Sequence, residues 1–417
     1  TPNPKPQTPN PKPQTPFAIL NSQLYLAHCI LLWIIHKIEM VCLCTIFYYI
    51  IVPLWIAWGF FAVRLTNKIF KKLKYLTEFE PNKMNKVLCG SRYDQAYLNK
   101  WEIYFGSVVL LPIRCILAIP IFVIGMTFSK IFTTVYNVNN QNFYRPQGTV
   151  YYTLSLYIIG FLSRIEFFIF GMYYMPTRVF KLKDFWADYK PVQDVSNPPL
   201  IISNHVSYLD MWMLLHIPQN PGFLAKMSIK SFPIVGYFAK IHHCIFINRD
   251  DPVERERISQ AIVDRCKLVE EGKMRPLLIF PEGTTTNGRA LMKFKKGAFF
   301  LEKPFYVYSL MYSRDPNFVP CFNLINPAYS AFIYFSKLCN QVEYYTFDQP
   351  IDPLYILKKH NIPPGTEHGW ETVAEETKKL MCFAFKLDND NSSFQEKKIF
   401  DIEMQGLTEE EFKKRGQ

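Results

Sequence analysis

Hydrophobic positions follow two different rhythms along the chain, and the change falls near residue 190. Before it, apolar residues come in long blocks. Val41 to Val63 runs without a charge. That is long enough to cross a hydrocarbon core of roughly 30 Å at about 1.5 Å per helical residue, and a span is expected there. Phe17 to Ile35 is also uncharged, but Asn21, Gln23 and His28 dilute it and Lys37 and Glu39 close it. A helix lying in the membrane interface, or packed against the next one, fits that stretch. YFGSVVLLPIRCILAIPIFVIGMTF (104–128) has one charge, Arg114, between Pro112 and Pro120. A kinked or re-entrant helix suits it as well as a full span. YYTLSLYIIGFLSRIEFFIFGMYYM (151–175) carries Arg164 and Glu166 in its middle and tyrosines at both ends. This predicts an interfacial helix with its charges turned to water.

After residue 190, short apolar runs alternate with amphipathic segments. PLIIS (199–203), CIFIN (244–248), PLLIF (276–280), YVYSLMY (306–312) and VEYYTF (342–347) have the length and the Ile, Val, Tyr and Phe content of buried strands. DPVERERISQAIVDRCKLVEEG (251–272) predicts a helix, with Asp251 as cap and Pro252 at its first position. Ile258, Ile262 and Cys266 share one face of it, and Gly272 is the stop. GWETVAEETKKLMCFAF (369–385) predicts a second amphipathic helix. Strands alternating with helices imply an α/β domain with a mostly parallel sheet flanked by helices, preceded by transmembrane or interfacial helices. The chain thus divides into a proline-rich tail (1–16), membrane-anchoring helices with a basic flank (17–75), a membrane-associated helical region (76–190), the α/β domain (191–400) and a charged C-terminal segment (401–417).

Composition sharpens this picture. With 417 residues, 49% of them hydrophobic and 16% aromatic, the chain has ample apolar surface for a core and is neither disordered nor fibrous. The net charge of +12 is uneven, with a dense cluster in RLTNKIFKKLKY (64–75) directly after an uncharged stretch. That placement suits anionic lipid headgroups and not nucleic acid. Ten cysteines are scattered without a C-x-x-C pair, against both a disulfide framework and a zinc site, and no metal is expected. The tail is TPNPKPQ written twice and is expected as polyproline II or a disordered, solvated tail. Together with the rest of 1–63 it is also a place for partners in a larger membrane complex. The first residue is Thr, which leaves upstream processing and a lost targeting sequence open.

The stretch SNHVSYLDMW (203–212) leaves the first of the strands and opens a helix, where an α/β domain holds its ligands. On a helix, five residues turn through about 500°, so His205 must sit in the entry turn with Asp210 reaching back to it. Two readings stay open here. Ser207 and Asp210 have the spacing of a capping box, with His205 a polar loop residue. Alternatively, Asp210 orients and supports His205 as a general base. Other strand ends deliver Arg249 and the run Glu282, Gly283 and Thr284 to Thr286. Each alone is an ordinary surface or turn feature. Together with His205 they make a polar pocket suited to a phosphate and a hydroxyl-bearing substrate.

N-H-x-x-x-x-D, then F-I-N-R, then F-P-E-G-T, in that order, resemble the first three motifs of the glycerolipid acyltransferase superfamily. FPEGTTTNGRALMKFKKGAFFLEKP and the earlier LLPIRCIL are most similar to the lysophospholipid acyltransferases acting on phosphocholine or phosphoethanolamine lipids; the resemblance covers about 104 to 400. It implies an acyltransferase-like α/β domain with His205 as base and Asp210 as its support. Arg249, Glu282 and Gly283, with Thr284 beside them, would bind the glycerol-phosphate part of the acceptor. Acyl-CoA would be the donor, a substrate and not a cofactor; the run Arg289, Lys293, Lys295 and Lys296 can be read equally as contacts for its phosphates or as a solvated charge run. Val307 stands where the fourth motif has a proline, and Pro320 falls later than that motif; DNDNSS (388–393) lacks the Gly and the closing Glu of an EF-hand. No G-x-S-x-G elbow is present, and Cys244 sits in a strand pattern, so direct attack by the acceptor hydroxyl is the simplest route. The expected partners are membrane lipids, a lysophospholipid and acyl-CoA, at the endoplasmic reticulum by resemblance or a mitochondrial membrane as the alternative. Beside the enzyme stands an accessory subunit that keeps the fold and binds lipid.

Overall fold

The computed structural model describes residues 31–39, 47–78, 87–90, 98–135, 150–190, 198–231, 242–247, 252–312, 318–321 and 324–405, with a few isolated positions. The proline-rich tail, Asp251 and Arg249 lie outside the described residues. The chain forms two compact units, Thr1–Ala62 and Val63–Gln417. In the first, residues 31–39 are helical and a wide turn, Phe47–Ile51, leads into helix α1 (Val52–Glu78). Tyr49–Lys74 and Lys100–Phe128 are each long and apolar enough to cross a membrane by length and composition.

The second unit begins its membrane-like part with α2 (Lys100–Phe105), started by the Asn99 side chain, which accepts from Trp101 N and Glu102 N. A wide turn, Gly106–Leu110, continues directly into α3 (Leu111–Val135), so the stretch for which a kinked or re-entrant helix and a full span stood equally open is one helical run with Pro120 inside it. Helix α4 (Val150–Ile169) packs beside α3. Of its two charges, expected to face water, Arg164 is half-buried and Glu166 is not turned to water. Glu166 is buried with Ser163 and Phe167, whereas Leu154, Tyr157, Phe161 and Phe168 are exposed. The reason is tertiary. The face carrying Phe167 packs on Trp212 and His216 of the α/β part, leaving the aromatic face outward, as in a helix whose outer side meets lipid.

Seven strands follow: β1 (Thr177–Phe180), β2 (Leu200–Ser203), β3 (Gly222–Lys226), β4 (Ile245–Ile247), β5 (Leu277–Ile279), β7 (Phe305–Tyr312) and β8 (Val342–Phe347), with β6 (Ala290–Leu291) apart. They order as β1-β8-β7-β2-β5-β3-β4, all neighbours parallel except β7 and β8. Ile202 of β2 lies between Ile279 of β5 and Val307 of β7, at the centre of the sheet. Helix α5 (Leu209–Leu214) follows β2 and α6 (Pro252–Glu270) follows β4. After β7 come α7 (Pro327–Ser336), α8 (Pro353–Lys359), α9 (Gly369–Phe385), the short β9 (Asp388–Asn389) beside β6, and α10 (Phe394–Gln405). Ile262 and Cys266 of α6 and Met381 and Phe385 of α9 share one apolar core with Ile202, Leu277 and Val307. Burial on both faces explains why these strands read as unbroken apolar runs.

The sheet reaches back beyond the expected boundary at 191, because β1 pairs with β8 through Thr177 and Tyr344. As an exposed edge strand β1 carries no apolar run; Arg178 grips Glu343 across it with two bonds of 2.6 and 2.8 Å. At the other end α10 runs through residue 401, with Phe400 and Met404 buried and Lys397 paired to Asp401 at 2.8 Å.

Arg114, the single charge of the apolar stretch, closes the end of α7. Its guanidinium donates to Phe335 O, Lys337 O and Leu338 O at 2.6, 2.5 and 3.0 Å, meeting carbonyls at the negative end of the helix dipole. Close by, Gly106 presses on the same helix end, and a Cβ there would overlap the Ser336 carbonyl oxygen. Gly106→Ala is therefore expected to cost about 1–3 kcal/mol by overpacking and to lower the melting temperature in detergent. Gly160→Ala, where a Cβ meets nothing within 4 Å, should leave it unchanged or slightly raised.

Candidate active site

Strand β2 gives out at Ser203, and the next residue carries its pairing forward by side chain. Asn204 is wholly buried; its Nδ2 donates to Leu310 O at 3.1 Å and its Oδ1 accepts from Leu310 N at 2.8 Å, as a strand residue would. This fixes where the chain leaves the sheet and sends His205 to its carboxyl rim. Both main-chain groups of His205 are then taken by the loop after β5: its N donates to Glu282 Oε1 at 3.0 Å, and its carbonyl accepts from Thr286 N and Thr286 Oγ1 at 2.7 and 3.2 Å. The imidazole stacks on Phe280 with ring centroids 4.0 Å apart. Its Nδ1 lies 2.9 Å from Asp210 Oδ2, and its side chain keeps 20% exposure. No hydrogen bond to Nε2 occurs among the described residues.

Asp210 is fully buried, and its carboxylate meets four donors. Oδ2 accepts from Val206 N at 2.5 Å and Ser207 N at 2.9 Å besides His205, and Oδ1 accepts from the Tyr312 hydroxyl at 2.6 Å. Ser207 Oγ in turn accepts from Leu209 N at 3.3 Å. The bond from Ser207 N that a capping-box acid accepts and the contact with His205 thus use one and the same carboxylate oxygen, whereas Asp210 N donates to the Ser207 carbonyl and not to its hydroxyl.

Glu282 is placed otherwise than the resemblance implies. It is completely buried, and its second oxygen accepts from Met292 N at 3.1 Å, so the carboxyl reaches the His205 main chain and has no surface for an acceptor. Burial pushes it up to about 8, against the two backbone N–H donors that favour the anion. Gly283, beside it, takes a left-handed φ of 70°, and the Lys295 side chain occupies the space a Cβ would need. Thr284 is half-buried in the same turn. Arg289, Lys293, Lys295 and Lys296 are exposed on the segment that follows. Arg249 lies outside the described residues. Val307 is buried in mid-strand, and the half-buried Cys244 has its thiol pushed up to about 12 by desolvation.

A strap far away in sequence supports the loop. Asn287 N donates to Cys89 O at 2.9 Å and Asn287 Nδ2 to Leu88 O at 2.7 Å. Cys89 N reaches Asp390 Oδ2 at 2.8 Å, and Lys378 Nζ donates to Asp390 O at 2.8 Å. Asp390 belongs to the DNDNSS stretch and serves to hold this strap. Asn204, Phe280 and Tyr312 carried no signal by residue type, because asparagine after a strand and aromatics within strands are ordinary there.

Residues 187–313, which hold all of these motifs, match the family model described as Acyltransferase. They form an acyltransferase-family domain. The chain is 33% identical over 176 residues to the lysophospholipid acyltransferase LPEAT1 of Arabidopsis thaliana, covering 37% of this chain and 42% of that one. It is 34% identical over 115 residues to a lysophosphatidylcholine acyltransferase of Drosophila melanogaster, covering 28% and 21%. The chain thus spans less than half the length of the curated relatives it matches. The crystal structure of the 1-acyl-sn-glycerophosphate acyltransferase of Thermotoga maritima gives a TM-score of 0.38 at 16% identity over 63% of this chain and 95% of that one, below the level at which shared architecture follows.

Glu282 yields a prediction separable from catalysis. Gln keeps one acceptor oxygen, so Glu282→Gln leaves one buried backbone N–H facing an amide NH2, at a cost of about 1–3 kcal/mol. The fold raises the proton affinity of Glu282 from 4.5 to about 8, so its stabilising contribution is present below 4.5 and lost as pH rises through about 8. Melting curves across that window should show a downward slope in the wild type that the Gln variant lacks.

Proposed function

We propose that the chain transfers a fatty acyl group from acyl-CoA to the free hydroxyl of a lysophospholipid, with His205 as general base. The observation that carries this reading is the His205–Asp210 contact on the rim of the sheet. With Nδ1–H committed to the carboxylate, Nε2 is the nitrogen left to take a proton. The acceptor hydroxyl gives its proton to Nε2 as its oxygen attacks the thioester carbonyl; the tetrahedral adduct then expels the coenzyme A thiolate, which takes that proton back from the imidazolium. Direct attack agrees with a half-buried Cys244 whose thiol is pushed up, and with the lack of a G-x-S-x-G serine elbow in the sequence.

The remaining roles follow from charge and position. Arg249 would hold the acceptor phosphate, with Gly283 and Thr284 shaping the turn beside it. Arg289, Lys293, Lys295 and Lys296 offer an exposed basic segment for the coenzyme A phosphates. The work takes place at a membrane, the endoplasmic reticulum by analogy with such enzymes and a mitochondrial membrane as the alternative. A second reading, an accessory subunit of a membrane complex that keeps the fold and binds lipid, draws on Val307 in place of the motif proline.

Coenzyme A release by the purified chain, given acyl-CoA and a lysophospholipid, separates enzyme from subunit: none above background supports the subunit. In an active preparation, His205→Ala should lower turnover by at least about two powers of ten with the fold intact. Asp210→Asn should lower it by roughly two to four powers of ten with little change in melting temperature, since an amide turned to Tyr312 can donate to its hydroxyl while the charge is gone. A folded Asp210→Asn protein keeping more than about a tenth of wild-type turnover would return Asp210 to the capping box alone. Arg249→Lys replaces a bidentate fork with a point charge and should raise the acceptor KM, leaving the donor KM unchanged.

A further inference from the structure

We infer that Tyr312 is a positioning residue for the reaction, acting through Asp210: its hydroxyl fixes the carboxylate in the rotamer that holds the His205 imidazole. This rests on the reading of His205 as base. Tyr312 closes β7, two residues beyond Leu310, the residue that Asn204 stitches to the end of β2. The stitch sets how far β7 projects past β2, and the projection carries the Tyr312 hydroxyl to 2.6 Å from Asp210 Oδ1. Oδ2 already serves three donors, all from the His205–Ser207 turn. Oδ1 receives its hydrogen bond from Tyr312 alone among the described residues. Tyr312 is thus the donor that comes from a different element and ties the His205 turn to the sheet. Its side chain is buried, with the Tyr334 ring edge-on at 6.3 Å, and burial together with the charge of Asp210 pushes its phenol well up, which keeps it a donor.

The arrangement gives a carboxylate that cannot turn. Without the hydroxyl, Oδ1 loses its only fixed partner, and the group can rotate about its terminal bond within the space a phenylalanine leaves. The imidazole then loses direction while the substrate-binding groups stay where they are. Such a loss falls on kcat and spares KM.

The test compares Tyr312→Phe with His205→Ala and with Tyr334→Phe, in the full chain in detergent or lipid, using acyl-CoA and a lysophospholipid. Tyr334 is a neighbouring buried tyrosine whose hydroxyl has no hydrogen-bond partner among the described residues, so its loss controls for removing a phenol from this core. Tyr312→Phe is expected to lower kcat by about tenfold or more with acceptor and donor KM within about twofold, and Tyr334→Phe to leave both unchanged. Proton spectra with labelled histidine add a readout independent of turnover. The downfield Nδ1–H resonance of His205 should broaden or shift in Tyr312→Phe and not in Tyr334→Phe. Normal kcat and an unmoved resonance in a folded Tyr312→Phe protein would overturn the inference while leaving His205 as base. An active His205→Ala protein would instead overturn the underlying reading. Should Tyr312→Phe fail to fold, the wild type decides: the Tyr312 Oη–H and His205 Nδ1–H protons should show a mutual Overhauser contact, and its absence overturns the inference.

Discussion

A carboxylate removed from water must be met by donors or give up its charge, and the α/β unit is arranged around one such group. Asp210 is fully buried, and its four hydrogen bonds come from the entry turn of its own helix and from the far end of β7. To bring them together, β2 must stop at Ser203, the turn must fold back, and β7 must run on past its neighbour. Asn204 performs the adjustment by pairing with Leu310 where β2 no longer can. Breaking a buried charged network of this kind typically costs several kcal/mol, enough to account for a large part of a domain's net stability.

A second buried carboxyl works on the other side of the same histidine. Glu282 and Thr286 occupy the main chain of His205, Phe280 takes one face of its ring, and Asp210 takes Nδ1, so the imidazole has one edge left toward the rim. Rigidity here is inherited from outside the loop. The strap at Leu88 and Cys89 holds Asn287, and Asp390 and Lys378 hold the strap. Residues near the two ends of the α/β unit therefore bear on a loop in its middle, and the geometry of His205 depends on elements outside its own turn.

The helices before the sheet follow the opposite rule, with polarity inside and apolar side chains outside. Glu166 of α4 is buried against the α/β part while Tyr157, Phe161 and Phe168 face out. Arg114 spends its charge on the carbonyl end of α7. Both charges stand in apolar stretches where hydropathy alone would send them to water. Arg114 meets backbone carbonyls, while Glu166 is buried on a helix whose exposed residues include Leu154, Tyr157, Phe161 and Phe168, side chains suited to lipid.

The amino-acid order by itself settled the α/β class, five of the seven strands of the sheet, without the inner β3, and the two long amphipathic helices, because period and apolar run length are local properties. It also put His205 and Asp210 on one turn and the Glu282 loop on a neighbouring strand end. It did not disclose β1, an edge strand with polar, exposed positions, nor the continuation of α10 through residue 401. Nor could it tell a cap from a partner of His205 at Asp210, since both require the same spacing, and in the folded chain the carboxylate contacts both Ser207 N and His205 Nδ1. Glu282 read as a substrate contact because a carboxylate beside glycine looks exposed in sequence; only the packing of the loop over β5 buried it and turned it to the main chain of His205. Tyr312 and Asn204 were beyond reach for the same reason: their partners lie about a hundred residues away, and only the order of strands in the sheet brings them within hydrogen-bond distance.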